Sequence, residues 1–226
     1  MSREGSEGLS DRENPTIPHG GENRPHSDRE ESDAQHRGFP IPDRSLLEGV
    51  RRRDPDALGS FFEFYFDRIY AIAYRMLGDR VAAQDVTQDV FCKVHGAAGR
   101  LDASRDPGPW LTTITMNLCR SIWRSSAYRM ARQATPIGPD EKAGYEIASS
   151  EPDPATQHLD RERDRIVQDA VLQLDETARA VVVLHDYQGL DHREIASILG
   201  LSHDAARKRH SRALQELGRL LEGRLR

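Results

Sequence analysis

The sequence predicts an all-α fold: two small helical domains joined by a flexible linker, the second domain a helix-turn-helix, with a disordered tail in front. Three observations lead there. From Leu58 to Leu77 the apolar residues recur at steps of three and four, the period of a helix with one buried face. Residues 133–160 hold four prolines and scattered acids between two periodic regions, the composition of a linker. Asp191, Glu194, Gly200 and Ser202 then mark a helix start, a stop and a second start in quick succession. At 226 residues, 31% of them charged, the chain is too polar for one core of that length, and two small domains plus non-globular sequence fit better.

Residues 1–43 form the tail. They are rich in Gly, Pro, Ser, Glu and Arg, carry ten acids against five arginines, and lack the apolar surface that would offset ordering entropy. His19, His26 and His36 are irregularly spaced within it and read as solvated. The first domain spans 44–132. Its long helix presents Leu58, Phe61, Phe62, Tyr65, Phe66, Ile69, Tyr70, Ala73, Met76 and Leu77 inward and stops at Gly78 and Asp79. A second helix, from about Val81 to His95, buries Val86, Val90 and Val94 and shows Asp85, Gln88, Asp89 and Cys92 on its other face. Gly96 to Pro109 is a loop, dense in Gly, Pro, Asp and Ser. A third helix begins near Trp110, with Leu111, Ile114, Leu118 and Ile122 inward and Asn117, Arg120, Trp123 and Arg124 around the rest.

The second domain spans 161–226 and is helical from Arg163, with breaks at Leu174 to Glu176, at Gly189 and at Gly200. Asp191 and Glu194 make a capping box for a short helix carrying Ile195, Ala196, Ile198 and Leu199. The small residue Ala196 suits a close helix crossing, and Gly200 suits a turn of positive φ. In the last helix Ala206 points inward, while His203, Arg207, Lys208 and Ser211 face away, a surface able to enter a major groove.

The net charge of −5 hides a segregated pattern. The tail accounts for all of the excess acid, since residues 44–226 hold 27 basic and 27 acidic groups. Within them residues 107–139 contain four arginines and no acid, 140–164 hold eight acids against three bases, and 202–226 hold seven bases against three acids. Two positive surfaces separated by an acidic strap could grip two stretches of one polyanion.

Several classes are excluded. No apolar run is long enough to cross a bilayer, and the charged first residues lack the centre of a signal peptide. The two cysteines, Cys92 and Cys119, make no disulfide framework and suit a reducing, cytoplasmic setting. Asp85 and Asp89 lack a histidine at ligand spacing, and Cys92 with His95 offers only two ligands, so no metal site is expected. With no phosphate-binding glycine loop and no serine elbow, nothing points to an enzyme or to a cofactor.

Three stretches carry a resemblance. Ala83 to Val94, AQDVTQDVFCKV, resembles the region-two core-binding helix of the extracytoplasmic-function (ECF) sigma factors of the sigma-70 family. Trp110 to Arg124, WLTTITMNLCRSIWR, resembles the promoter-melting part of that region. The C-terminal LDETARAVVVLHDYQGLDHREIASILGLSHDAARKRHSRALQEL is similar to their region four. The resemblance implies a bacterial transcription initiation factor, acting at the nucleoid, that binds core RNA polymerase, recognises two promoter elements and promotes melting. It implies that Asp85, Gln88, Asp89 and Cys92 meet the polymerase clamp coiled coil, with a second contact to the flap. Leu101, Ile114, Thr115, Asn117 and Ser121 would line a pocket for a flipped base, with Arg120 and Arg124 on nearby phosphates. His203, Arg207, Lys208, Arg209, Ser211 and Arg212 would read or grip promoter DNA at the distal element. Members commonly have an anti-sigma partner. His210 departs from the family, which usually has an aliphatic residue there, and Asp204-Ala205-Ala206 replaces a more usual Gly-Thr-Val.

Two rival readings remain at this level. A stand-alone helix-turn-helix regulator predicts palindromic sites bound without polymerase, and an adaptor predicts a basic helix that is merely solvated.

Overall fold

The computed structural model describes residues 41–125 and 154–222, the backbone alone over 154–161, and every regular element among them is helical. The elements are α1 (Arg44–Arg51), α2 (Pro55–Leu77), α3 (Arg80–Ala97), a 3₁₀ turn (Ala98–Arg100), α4 (Gly108–Arg124), α5 (Pro154–Val171), α6 (Glu176–Val182), a π turn (Val183–Tyr187), α7 (His192–Leu199) and α8 (His203–Glu222). The all-α expectation holds. Residues 1–40 of the expected tail (1–43), 126–132 of the first domain, 133–153 of the expected linker and 223–226 lie outside the described residues.

In the first unit α2 is the central element. Asp54 caps it by accepting from the Ala57 amide at 2.9 Å, and Pro55 takes the first position, where its missing N–H costs nothing. Phe61, Tyr65, Ile69, Tyr70, Ala73, Met76 and Leu77 are buried as the period requires. Phe62 is a correction, since it is 39% exposed and its ring rests on Phe66 and Phe91 instead of entering the core; Ile72, which the three-and-four stepping passes over, is fully buried. The helix is covered by α1, α3 and α4 over more of its circumference than one stripe. Val86, Val90 and Val94 of α3 are buried against it, with Ala83 and Thr87.

In α4 the inner face is rotated from the expected one. Leu111 and Ile114 are buried, but Leu118 and Ile122 are only partly so, and Thr112, Thr115, Met116 and Cys119 fill the core. Buried threonines are tolerable here because Thr112 and Thr115 donate to the carbonyls of Gly108 and Leu111, each one turn back. Helix α1 was not anticipated; eight residues carry too short a period to read, and Leu47 and Val50 hold it on α2.

Helix α5 starts at Pro154, inside the stretch read as linker, because a proline in the first turn of a helix opens it as readily as it breaks one. Asp175 caps α6 by accepting from the amides of Thr177 and Ala178, both at 2.9 Å. Both units share one continuous apolar core. At their seam Gly78 ends α2 at φ 71°, and a side chain there would meet Leu172 Cδ1 at 2.5 Å, so the position is restricted by backbone and by space.

Arg179 joins the parts. It is 1% exposed, and its guanidinium donates to the carbonyls of Val171 (3.2 Å), Leu172 (2.5 Å) and Leu174 (3.0 Å) at the end of α5, and of Met76 (2.6 Å) at the end of α2. Helix C-termini leave such carbonyls without partners in the helix and carry partial negative charge, so a buried cation satisfies both conditions at once. The guanidinium also lies over the Trp123 ring, 5.2 Å from its centroid. Replacing Arg179 by Met should lower the free energy of unfolding by about 3–5 kcal/mol in urea titrations, because several buried carbonyls lose their donor together; a loss of under about 1 kcal/mol, the range of an exposed side chain, would contradict this role.

Candidate functional site

Three surfaces and one cluster carry the chemistry. The first is the helix-turn-helix. Asp191 Oδ1 accepts from the amides of Arg193 (2.7 Å) and Glu194 (2.8 Å), and Glu194 Oε2 accepts from the Asp191 amide at 2.8 Å, so the capping box is complete. Gly200 turns the chain at φ 67°, and Ser202 Oγ accepts from the Ala205 amide at 3.2 Å to open α8. Ala206, His210, Ala213 and Leu217 anchor α8 inward. His203, Arg207, Lys208, Arg209, Ser211 and Arg212 are all exposed. At 100° per residue Arg207, Lys208, Ser211 and Arg212 span about 140° of the outer face, and Arg209 lies about 60° beyond Arg212 at its edge.

The second surface lies on α3. Asp85, Gln88, Asp89 and Cys92 are exposed along one side of the helix. Val81, 67% exposed, continues the same stripe by i, i+4, i+7 and i+11 spacing. Sequence reading had passed over it as a helix-starting residue; an exposed valine in line with an acidic stripe is the signal that could have found it. Its effect is to place an apolar contact beside two carboxylates, a composition suited to a protein partner.

The third surface, on α4 and its preceding loop, differs from expectation. Leu101, Ile114 and Thr115 are buried and therefore do not line an open pocket, and the Thr115 hydroxyl is spent on the Leu111 carbonyl. Asn117 and Ser121 face outward. Arg120 and Arg124 both reach across to the second unit, where Arg120 Nε donates to Glu176 Oε1 at 2.7 Å and Arg124 Nε to Glu176 Oε2 at 3.3 Å. Both presumed phosphate contacts are thus engaged by an acid at the start of α6. The loop itself is held by Asp106, whose Oδ1 accepts from the Gly108 amide (2.7 Å) and the Tyr65 hydroxyl (3.3 Å). Burial and the Asp106 carboxylate push the Tyr65 phenol well above its usual range, which keeps it a donor.

The cluster was missed altogether. His185, His192 and His210, separated by irregular intervals in sequence, meet behind the recognition helix. The buried His210 fills the inward place usually aliphatic by pairing its two ring nitrogens, Nδ1 with His192 Nε2 (3.1 Å) and Nε2 with Asp186 Oδ2 (2.9 Å).

Known proteins share this arrangement of parts. The description "Sigma-70 region 2" matches residues 61–129 and "Sigma-70, region 4" matches 164–217. The RNA polymerase sigma factor CarQ of Myxococcus xanthus is 30% identical over 77% of this chain and 95% of its own length. The chain belongs to the ECF sigma-70 family. The ECF RNA polymerase sigma factor BldN of Streptomyces coelicolor is 28% identical over 78% of this chain. The matches span 64% of BldN and 35% and 56% of two further relatives, so those proteins extend well beyond the shared part. The solved structure of CnrH, a sigma factor of Cupriavidus metallidurans, in complex with the cytosolic domain of CnrY aligns with a TM-score of 0.55 and 26% identity over 80% of this chain and 98% of that one.

In family vocabulary, α2 to α4 are region 2, and α5 to α8 with the π turn are region 4. Removing the region 4 cap with Asp191→Ala should cost about 1 kcal/mol of stability, read by thermal or urea unfolding, with no change in helix content at low temperature.

Proposed function

We propose that the chain is an alternative sigma factor: it joins core RNA polymerase, directs it to promoters by two DNA contacts and captures the melted strand of the upstream element nearest the start site. The observation that carries this reading is the pairing, in one chain of this family, of the exposed stripe Val81, Asp85, Gln88, Asp89 and Cys92 on α3 with the exposed basic face of α8. The first supplies a protein-docking face, the clamp coiled coil being its partner, and region 4 docks on the flap. The second supplies the distal-element reader, with Lys208, Arg207 and Arg212 donating to phosphates or guanine edges. No reaction is catalysed; binding and strand capture suffice.

The closed arrangement of the two regions gives the mechanism its first step. Glu176 holds Arg120 and Arg124, so region 2 has to part from region 4 before those guanidinium groups can take phosphates. The seam is imperfect in a way that favours parting: Trp123 Nε1 and Gln168 Oε1 are buried there without hydrogen-bond partners among the described residues, each costing about 1–3 kcal/mol. Polymerase binding then separates the regions and fixes their spacing, which turns two weak DNA contacts into one strong one by effective concentration. Asn117 and Ser121 are outward and available to a captured strand at once; Leu101, Ile114 and Thr115 support that surface from beneath. An anti-sigma partner that stabilises the closed form fits the same geometry, and the solved CnrH complex with the cytosolic domain of CnrY supports that extension. No described helix is long and apolar enough to cross a membrane. A factor that joins polymerase on promoter DNA acts in the bacterial cytoplasm, at the nucleoid.

Run-off transcription with purified core polymerase tests the reading. The chain should confer defined start sites, and Asp85→Lys with Asp89→Lys should abolish co-purification with core while leaving the helical spectrum unchanged. Tight, sequence-specific duplex binding by the free chain would contradict it. Glu176→Gln should raise the affinity of the free chain for a single-stranded DNA probe, measured by fluorescence anisotropy, by releasing Arg120 and Arg124. Each phosphate contact so gained should steepen the logarithmic salt dependence by about 0.7.

A further inference from the structure

Region 4 contains a group of side chains that the contacts proposed above do not employ. Three imidazoles arrive from three elements: His185 from the π turn, His192 from the first position of α7, and His210 from the inner face of α8. One ligand atom of each lies within 4.8 Å of the other two. His192 Nε2 and His210 Nδ1 are 3.1 Å apart, close to the separation of two ligands on a tetrahedral ion with metal–nitrogen distances of about 2.0–2.1 Å. Asp186 stands behind them. Its Oδ2 lies 2.9 Å from the remaining nitrogen of His210, and its Oδ1 lies 3.0 Å from His185 Nδ1, leaving Nε2 as the nitrogen that His185 has to offer. A carboxylate holding the far nitrogens of ligating imidazoles is the arrangement that fixes their orientation and raises their basicity.

The plainer account is a hydrogen-bonded polar patch inside a small domain. It explains the His192 and His210 contact but not why three rings converge, with centroids 4.0 to 5.1 Å apart, where their protonated forms repel one another. An aliphatic residue at position 210 would fill the same space without that conflict. We propose that His185, His192 and His210 form a binding site for one divalent transition-metal ion, oriented by Asp186 and completed by water. Three neutral nitrogens suit Zn²⁺, Ni²⁺ or Co²⁺ and do not suit Mg²⁺ or Ca²⁺. A bound ion would tie the π turn and α7 to the recognition helix, so that metal supply sets the rigidity of the element that faces DNA. The site stands independently of the polymerase reading.

The test uses tag-free full-length chain stripped with a chelator. Zn²⁺ titrated in competition with a chromophoric chelator should bind at one ion per chain, Co²⁺ should give the visible absorption of a tetrahedral site, and Zn²⁺ should raise Tm. His192→Gln, a partly exposed position, should weaken Zn²⁺ binding at least about tenfold and Asp186→Asn by about 10–100-fold, with circular dichroism confirming that both variants are folded. His19→Gln, His26→Gln and His36→Gln combined, and Cys92→Ser, should leave the affinity unchanged. Absence of saturable binding, binding that survives His192→Gln undiminished, or binding that follows the tail histidines overturns the proposal.

Discussion

The structure depends on one buried cation satisfying carbonyls at the ends of two helices. Arg179 lies where α2 and α5 both run out, and each of these ends leaves carbonyl oxygens that water does not reach. A neutral side chain could fill the volume but could not donate in so many directions; the planar guanidinium with its five N–H groups can. Three of its carbonyl partners, Val171, Leu172 and Leu174, belong to region 4, and one, Met76, to region 2. The same residue therefore braces region 4 internally and reaches across the seam. Its region 2 partners are the Met76 carbonyl and the Trp123 ring, and its three other carbonyl partners all lie in region 4.

The seam gathers cations of region 2 against region 4. Besides Arg120 and Arg124 on Glu176, the Arg68 Nε donates to Gln188 Oε1 at 3.1 Å, and Arg75 lies over the Tyr187 ring at 3.7 Å. In the arrangement described, region 4 occupies this set of positive side chains, whereas the acidic stripe on α3 stays exposed.

Much of this was legible in the sequence, for identifiable reasons. The capping box at Asp191 and Glu194, the turn at Gly200 and the stop at Gly78 are local devices whose chemistry lies within a few residues, and all three stand where the residues put them. The valines of α3 and the basic face of α8 follow from a period sustained over several turns. What escaped depends on contacts far apart in the chain. Arg179 reads as one more surface arginine until α2 is folded beside it; Glu176 reads as a helix-starting acid until α4 brings Arg120 to it. Thr115 looks like a polar residue free to touch DNA, and only its back-bond to Leu111 accounts for its burial. The histidines share no spacing because three different elements deliver them.

The wide turn at Val183–Tyr187 has a further consequence. Three residues past it the Leu190 amide reaches back to the Leu184 carbonyl at 3.0 Å, and the loosened coil accommodates extra backbone between α6 and α7. An ordinary coil advances 100° per residue, so shortening this stretch by a single amino acid would spin His185 and Asp186 roughly a quarter-turn away from α8 while leaving the greasy interior on either side nearly as it is. The bulge thereby acts as an angular offset, a small irregularity that aims side chains sideways, and a descendant of this chain could gain or shed the histidine meeting point through one codon's insertion or deletion.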